Sequence, residues 1–258
     1  MDDATQALSE AILRDPEADQ PRLDLASILS ASGDPRGRFI ELQVRYRHAR
    51  SWAERGAINT QLEPLLTYAR PEHCGAITTF DSTPRVVRGF PEGITVAASV
   101  FLRQADEMYA LAPIRHVHLV DVAPFVGDLA AAPQLDRIVS LSFRDERIDD
   151  AAVERLVDSP HLRRLKRLGL AFLGLSQQSL EAIAAAREQL PALIDVNFEG
   201  NRVTAPQERY TSDWMTYEIL EIQGLPPLGE ELERKYGPQP WLHAPSLLTF
   251  YPSSESDV

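Results

Sequence analysis

The segments IRHVHL (114–119), IVSLSF (138–143), LKRLGL (165–170) and LIDVNF (193–198) share one pattern that decides the fold. Each segment has apolar residues at its first, fourth and sixth positions. The last apolar residues stand at positions 119, 143, 170 and 198, so successive units are 24, 27 and 28 residues apart. A pattern that recurs at a period of roughly 20 to 50 residues is typical of a repeat architecture.

Helical stretches follow the first three segments: VGDLAAAP, DDAAVERLVDSP and SQQSLEAIAAAREQLP. A strand followed by a returning helix places the next strand parallel to the first. One such unit cannot bury both its strand face and its helix stripe, whereas stacked neighbours bury both. The sequence therefore predicts an α/β fold, with a short right-handed solenoid over 113–205 that has parallel strands inside and helices outside.

This array resembles the leucine-rich repeat of the ribonuclease-inhibitor type, in which L-x-x-L-x-L is followed by a helix. The resemblance covers 114–205 and implies helices on the convex side. It also implies an asparagine three positions after the last apolar strand residue, where its side chain satisfies backbone groups of the turn. The sequence has Val122, Glu146, Leu173 and Asn201 at these places, so only Asn201 conforms.

The N-terminal segment shows apolar residues at helical spacing, which predicts an all-helical domain over 1–58. The stretch AILRDPEADQPRLDLASILSASGDPRGRFIELQ is similar to the repeat-companion domain that precedes short repeat arrays in bacterial proteins. The matching residues are Ile12, Pro16, Arg22, Leu23, Ala26, Leu29, Gly33, Asp34, Pro35, Gly37, Phe39, Ile40, Leu42 and Gln43. This resemblance supports the architecture and implies no chemistry.

Two further regions flank the array. In 59–112 we expect a helix and then a strand-helix cap of the solenoid, since RVVRGFPEGITVAA predicts a hairpin with a Gly-Phe-Pro turn and FLRQADEMYALAP predicts a helix. In 206–258 we expect a C-terminal cap with a disordered tail. A solenoid end exposes apolar edges that need covering, and Trp214, Trp241 and Phe250 are suited to that role.

Composition narrows the class of protein. Formal charge is −12 with a pI near 5.0, which disfavours nucleic acid as a partner. The first residues lack a basic segment followed by an apolar one, and no run of about 18 apolar residues occurs, so no membrane association is expected. A single cysteine excludes internal disulfides and fits a reducing compartment. We expect a cytoplasmic protein.

Few residues suggest catalysis. His116 and His118 are two apart on a predicted strand, and with Asp121 they would supply only part of a metal site, because spacing fixes no further ligand. The favoured interpretation is that they are two polar residues lining the inner face. His73 and Cys74 are adjacent, yet nothing marks the thiol as activated. Phosphate-loop, nucleophile-elbow and zinc-helix motifs are absent from the sequence. We expect neither a metal site nor a cofactor.

Two groups of basic residues can each be interpreted as a binding site or as an ordinary solvated surface. Arg45, Arg47 and Arg50 follow a predicted helix-turn-helix, but the acidic chain disfavours DNA binding. The run HLRRLKRLG (161–169) is the densest basic segment, and it is either a contact for an acidic partner or a solvated loop. The solvated loop is the favoured interpretation.

Strand alternation predicts a polar inner face that changes from histidine and cation to acid along the array. It predicts that Arg167 and Asn197 are exposed on this face and that the apolar residues Leu168, Leu170, Val196 and Phe198 are buried. A mostly polar concave face suits a protein ligand better than a small molecule, which needs an apolar cleft. We therefore expect a non-enzymatic protein-binding module. The alternatives are a hydrolase or metal-dependent enzyme with a site between the N-terminal domain and the repeats, and a structural module that self-assembles. The predicted partner-binding residues are His116, His118, Ser140, Ser142, Arg144, Arg167, Asp195, Asn197 and Glu199.

Overall fold

A computed structural model describes residues 3–143, 148–202 and 226–243. The fold is α/β, with six strands in one sheet in the order β1-β2-β3-β4-β5-β6. Strands β1 and β2 pair antiparallel, whereas β4, β5 and β6 pair in parallel. Nine α-helices occur within the described ranges. The chain divides into two compact units: unit 1 includes the described residues of Met1–Thr95 and Gln104–His116, and unit 2 those of Val96–Arg103 and Val117–Tyr251.

Unit 1 begins with helices. They are α1 (Asp3–Arg14), α2 (Gln20–Ala31), α3 (Arg36–His48) and α4 (Trp52–Leu62), followed by 3₁₀ turns at Glu63–Ala69, Pro71–His73 and Gly75–Thr79. Gly33, with φ +79°, ends α2 in the left-handed region that glycine adopts without strain. A Cβ on Gly37 would lie 2.4 Å from the Ala26 carbonyl oxygen, so glycine at this position lets α3 pack closely against α2.

The predicted hairpin is present, but its turn lies one residue earlier than expected. Strand β1 (Arg85–Val87) and strand β2 (Phe90–Ala97) are joined by Arg88 and Gly89, with φ values of 51° and 80°. A two-residue hairpin turn with positive φ values at both central residues matches the twist of the flanking strands. The predicted turn at Gly-Phe-Pro would not have this geometry. Helix α5 (Ala98–Leu111) follows directly.

Strands and helices alternate along 116–197 as the periodicity predicts, although most of them are shorter than expected. The strands are β3 (His116–Val120), β4 (Ser140–Phe143), β5 (Arg167–Gly169) and β6 (Asp195–Asn197). The helices are α6 (Val126–Ala130), α7 (Asp150–Val157) and α8 (Gln177–Ala185), and a later helix α9 spans Pro226–Tyr236. Helix α6 is shorter than the three turns that were expected. A 3₁₀ turn containing Pro124 precedes the helix and Pro133 follows it, and these prolines limit its length.

Burial in unit 2 follows the apolar pattern. Leu168, Leu170, Val196 and Phe198 are buried and Arg167 is exposed, as predicted. The prediction that Asn197 is exposed is wrong, because its side chain is only 5% exposed. Its Oδ1 accepts a hydrogen bond from the backbone N–H of Glu199 at 3.1 Å, which folds the amide back onto its own strand end.

Of the three aromatic residues expected to cover the C-terminal end of the array, Trp241 lies within the described residues. Trp241 is buried, and its indole N–H donates to Gln239 Oε1 at 2.9 Å. Gln239 Nε2 in turn donates to the carbonyl of Ala184 at the end of α8, at 3.2 Å. Trp214, Phe250 and the predicted disordered tail lie outside the described residues, as does Arg144. None of the helices in the described ranges has the length and apolar character needed to cross a membrane.

Candidate interaction face

The register of β4, β5 and β6 places the predicted polar residues side by side. Ser140 pairs with Arg167, and Arg167 pairs with Asp195. Two positions further along, Ser142 pairs with Gly169, and Gly169 pairs with Asn197. Residues two apart on a strand share a face of the sheet. We define the polar face as His118, Ser140, Ser142, Arg167, Asp195 and Asn197.

Hydrogen bonds and ion pairs connect neighbouring strands on the polar face. His118 Nδ1 lies 2.7 Å from Ser142 Oγ, so β3 and β4 share a side-chain hydrogen bond. Arg167 Nε lies 3.9 Å from Asp195 Oδ2, at the outer limit of an ion pair. These contacts orient the side chains but leave most of the Arg167 guanidinium in solvent.

Exposure on the polar face is uneven. The Arg167 side chain is 59% exposed, whereas the side chain of its neighbour Asp195 is 11% exposed. Ser142 and Asn197 are also buried, so the face is less open than the strand alternation suggested. The other predicted residues, His116, His118, Ser140 and Glu199, are half-buried.

Asn201 stabilises the turn that follows β6. Its Oδ1 accepts hydrogen bonds from the backbone N–H groups of Leu173 and Leu175, at 3.1 and 3.0 Å. Its Nδ2 donates to the carbonyls of Leu170 and Phe198, at 2.6 and 3.1 Å. The side chain thereby satisfies four backbone groups, which belong to the repeats that contain β5 and β6. This is the role that the resemblance implies for an asparagine at this position.

A second polar connection links the starts of two successive helices. Asp150, in the first turn of α7, accepts hydrogen bonds from the backbone and hydroxyl of Ser176 at 3.0 and 2.7 Å, and from the Ser179 hydroxyl at 2.5 Å. Ser176 is itself the N-cap of α8. Burial alone would raise the pKa of Asp150, but these hydrogen bonds outweigh burial and lower the pKa below its usual value of 3.8.

Unit 1 contains a buried ion cluster that the sequence analysis missed. We define the ion cluster as Glu17, Asp19, Arg22, Arg88, Glu92 and Arg115. Glu92 is fully buried, and its carboxylate binds Arg22 Nη2 at 2.9 Å and Arg88 through Nε and Nη2 at 3.0 and 2.8 Å. Arg115 Nη1 lies 3.6 Å from the same carboxylate and Arg115 Nη2 also binds Glu17.

Arg88 uses all of its donor groups within this cluster. Besides Glu92, its Nη1 donates to Asp19 at 2.7 Å and to the carbonyl of Glu17 at 3.2 Å, and its Nη2 donates to the carbonyl of Pro16 at 2.6 Å. The α1–α2 connection is therefore held by an arginine from the hairpin turn. The next residue of the turn, Gly89, contacts α3 instead, since its N–H donates to Gln43 Oε1 at 2.6 Å.

The arginines of the ion cluster differ in how burial affects them. Burial lowers the pKa of Arg22 to about 10, an effect that Glu92 partly offsets, so Arg22 stays protonated at neutral pH. Burial also lowers the pKa of Arg115, with Glu17 and Glu92 opposing it. Burial alone would lower the pKa of Arg88, but hydrogen bonds and attraction from Glu92 and Asp19 raise it instead.

A sequence signal for the ion cluster does exist. Glu92, Ile94 and Val96 alternate along β2 and are all buried, so the position of Glu92 is that of an inward-facing residue. A carboxylate at such a position demands a cation. The positions of Arg22 and Arg115, however, are brought to Glu92 only by the tertiary fold.

The candidate reactive groups have ordinary surroundings. Burial, assisted by Glu72 and Asp81, raises the pKa of the Cys74 thiol, whereas an activated cysteine needs a lowered one. His118 is engaged with Ser142. Among the residues that the structure describes, no group of three or more His, Cys, Asp or Glu side chains could hold a metal ion. Arg163, Arg164, Lys166 and Arg167 of the basic run are all exposed.

No known protein family matches the chain, and no curated protein matches it either.

Proposed function

We propose that this protein is a non-catalytic interaction protein, a short leucine-rich-repeat-like solenoid with a helical N-terminal domain of the repeat-companion type. Its polar face binds a protein partner. The observation that supports this most directly is the side-by-side register of Ser140, Arg167 and Asp195 on three parallel strands. A rigid sheet presents such a row with little loss of backbone entropy on binding.

The solenoid part of the proposal is supported by two hydrogen-bonded contacts, each of which joins one repeat to the next. Asp150 of one helix start binds Ser176 of the next, and Asn201 of one turn binds the backbone after the preceding strand. Contacts of each unit with its neighbour are what a stacked repeat requires. Leu168 and Val196 pair in register on the buried side, so the apolar positions of neighbouring units also coincide.

The binding part of the proposal is supported by the charge of Arg167. Its guanidinium is largely exposed, and the nearest Asp195 carboxylate oxygen lies 3.9 Å from Nε, which is long for an ion pair. A pair at this distance, with its arginine largely in solvent, adds little to stability. A guanidinium presents several donors in a fixed plane, which suits a carboxylate or carbonyl group of a partner protein.

The test is affinity purification from the source cell with three baits, followed by mass spectrometry. The baits are the wild-type protein, Arg167→Glu and Arg164→Glu. Arg164 is exposed in the same basic run but is not part of the polar face, so it controls for a general change of charge. We expect wild type and Arg164→Glu to recover the same partner and Arg167→Glu to lose it. Recovery of the same partner at equal yield by all three baits would contradict the proposal.

A further inference from the structure

An exposed aromatic residue marks a second surface, located in unit 1. Trp52, the first residue of α4, is 85% exposed. The guanidinium carbon of Arg55 lies 5.8 Å from the ring centroid of Trp52 and 5.8 Å from that of Tyr46. We define the Trp52 patch as Tyr46, Arg50, Trp52, Arg55 and Gly56.

The local fold does not need a tryptophan at this position. Ser51 caps α4, because its side chain accepts the backbone N–H of Glu54 at 3.1 Å. Trp52 follows this cap with its ring directed into solvent, so it buries little apolar area. A residue that is exposed and large contributes more to recognition than to folding.

Gly56 keeps one side of the tryptophan uncovered. Side chains of a helix point toward its N-terminus, so a side chain at 56 would lie over residue 52, four positions earlier. A Cβ at Gly56 would have no atom within 4 Å, so packing does not require glycine here. Glycine inside a helix is unfavourable relative to alanine. Its presence leaves open space beside the Trp52 ring.

The surroundings of the Trp52 patch are positively charged, in contrast to the chain as a whole. Between residues 45 and 55 there are four arginines and one glutamate, whereas the complete chain carries −12. Arg47 is compensated by Glu17 and Asp19. The side chain of Arg50 makes no ion pair with any residue that the structure describes, and Arg45 lies 3.8 Å from Glu41 in an exposed pair.

We propose that the Trp52 patch binds an acidic segment of a partner protein that carries an apolar side chain. Tryptophan, tyrosine and arginine are the residues most enriched in interface hot spots, and here the guanidinium of Arg55 lies over the rings of both Tyr46 and Trp52. The apolar side chain would lie against the Trp52 ring in the space beside Gly56, and the acidic groups would face Arg45 and Arg50. Nucleic acid fits less well, because the rest of this acidic chain would repel phosphates.

The test uses the full-length protein labelled with ¹⁵N and observed through its tryptophan indole N–H signals. Trp52→Phe assigns the Trp52 signal. The probe is an acetylated, amidated octapeptide with two leucines between two runs of three glutamates, and its control is the same peptide with lysines. We expect a saturable shift of the Trp52 signal with the glutamate peptide only, and at least tenfold weaker binding in 0.5 M salt.

Two matched variants test the role of the open space. Gly56→Leu places a side chain over the Trp52 ring, whereas Ala57→Leu adds a leucine at the neighbouring exposed position, where it would lie over Ala53. Gly56→Leu is expected to weaken peptide binding at least tenfold, and Ala57→Leu to leave it within twofold. Circular dichroism spectra of both variants establish that each is folded.

Four results would overturn the proposal. They are the absence of a saturable shift with the glutamate peptide, equal binding by Gly56→Leu and wild type, a stronger shift with a single-stranded DNA decamer, and a shift that depends on protein concentration without any probe. The third result would assign the patch to nucleic acid, and the fourth to a second copy of this chain.

Discussion

The two units of this protein are stabilised by different kinds of interior. Unit 1 buries the charged residues Arg22, Arg88 and Glu92, which satisfy one another and the backbone of the α1–α2 connection. Apolar residues form a core in both units, including Phe39 and Leu42 in unit 1 and Leu168 and Leu170 in unit 2. What distinguishes unit 1 is that its interior also depends on a few buried charges with specific partners. Single substitutions should therefore act differently in the two units.

The largest effect is expected at the centre of the ion cluster. Glu92→Gln removes the carboxylate that Arg22 and Arg88 share, so that Arg22 loses its ion pair while buried and Arg88 keeps only its pair with Asp19. Removing one partner of a buried ion pair costs about 3 to 5 kcal/mol. Urea denaturation measures the loss in the free energy of unfolding. Glu41→Gln is the matched control, since Glu41 pairs with Arg38 at the surface and should cost at most about 1 kcal/mol. Equal losses in both variants would contradict the account of unit 1.

In unit 2, the comparable substitution is Leu170→Ala. Leu170 is fully buried, and its loss should reduce the free energy of unfolding by about 2 to 5 kcal/mol, from lost transfer energy and a residual cavity. Ile194→Ala removes an aliphatic side chain that is 50% exposed and should stay within about 1 kcal/mol. A loss below about 1 kcal/mol at Leu170 would mean that the leucine pattern does not form the core.

A smaller, pH-dependent effect is expected at Asp150. Its pKa is lowered in the folded state, so the stability it contributes is present above its unfolded value of 3.8 and is lost as the pH falls through the folded pKa. Asp150→Asn should therefore be less stable than wild type at pH 7, and the difference should disappear as the pH falls below 3.8 toward the folded pKa. Thermal unfolding of both proteins between pH 7 and pH 2 measures this difference. A difference independent of pH would contradict a role for the ionised carboxylate.

Apolar periodicity predicted the helices of unit 1 and the strands of unit 2, but it gave no sign of the ion cluster inside unit 1. The alternation of apolar residues identified β3 to β6 and the burial of Leu168 and Val196, because strand geometry ties sequence position to face. The prediction that Asn197 is exposed is wrong, because alternation indicates the face of the sheet on which a residue lies but not whether neighbouring groups cover its side chain. Arg22 and Arg115 are far apart in sequence and converge on Glu92 only in the folded chain. Pairing of this kind has no periodic signature.

The central claim, that the polar face binds a protein, is tested most directly by Arg167→Glu. With the partner recovered from the cell, surface plasmon resonance would compare wild type, Arg167→Glu and the control Arg164→Glu. Both residues are exposed, and Arg164→Glu should change the free energy of unfolding by no more than about 0.5 kcal/mol. Arg167→Glu should cost up to about 1 kcal/mol, because it places a carboxylate beside Asp195 on the neighbouring strand. We expect at least a tenfold loss of affinity for Arg167→Glu, mainly in the association rate if the partner surface is acidic, and less than a twofold change for Arg164→Glu. Unchanged affinity in a folded Arg167→Glu variant would contradict the claim.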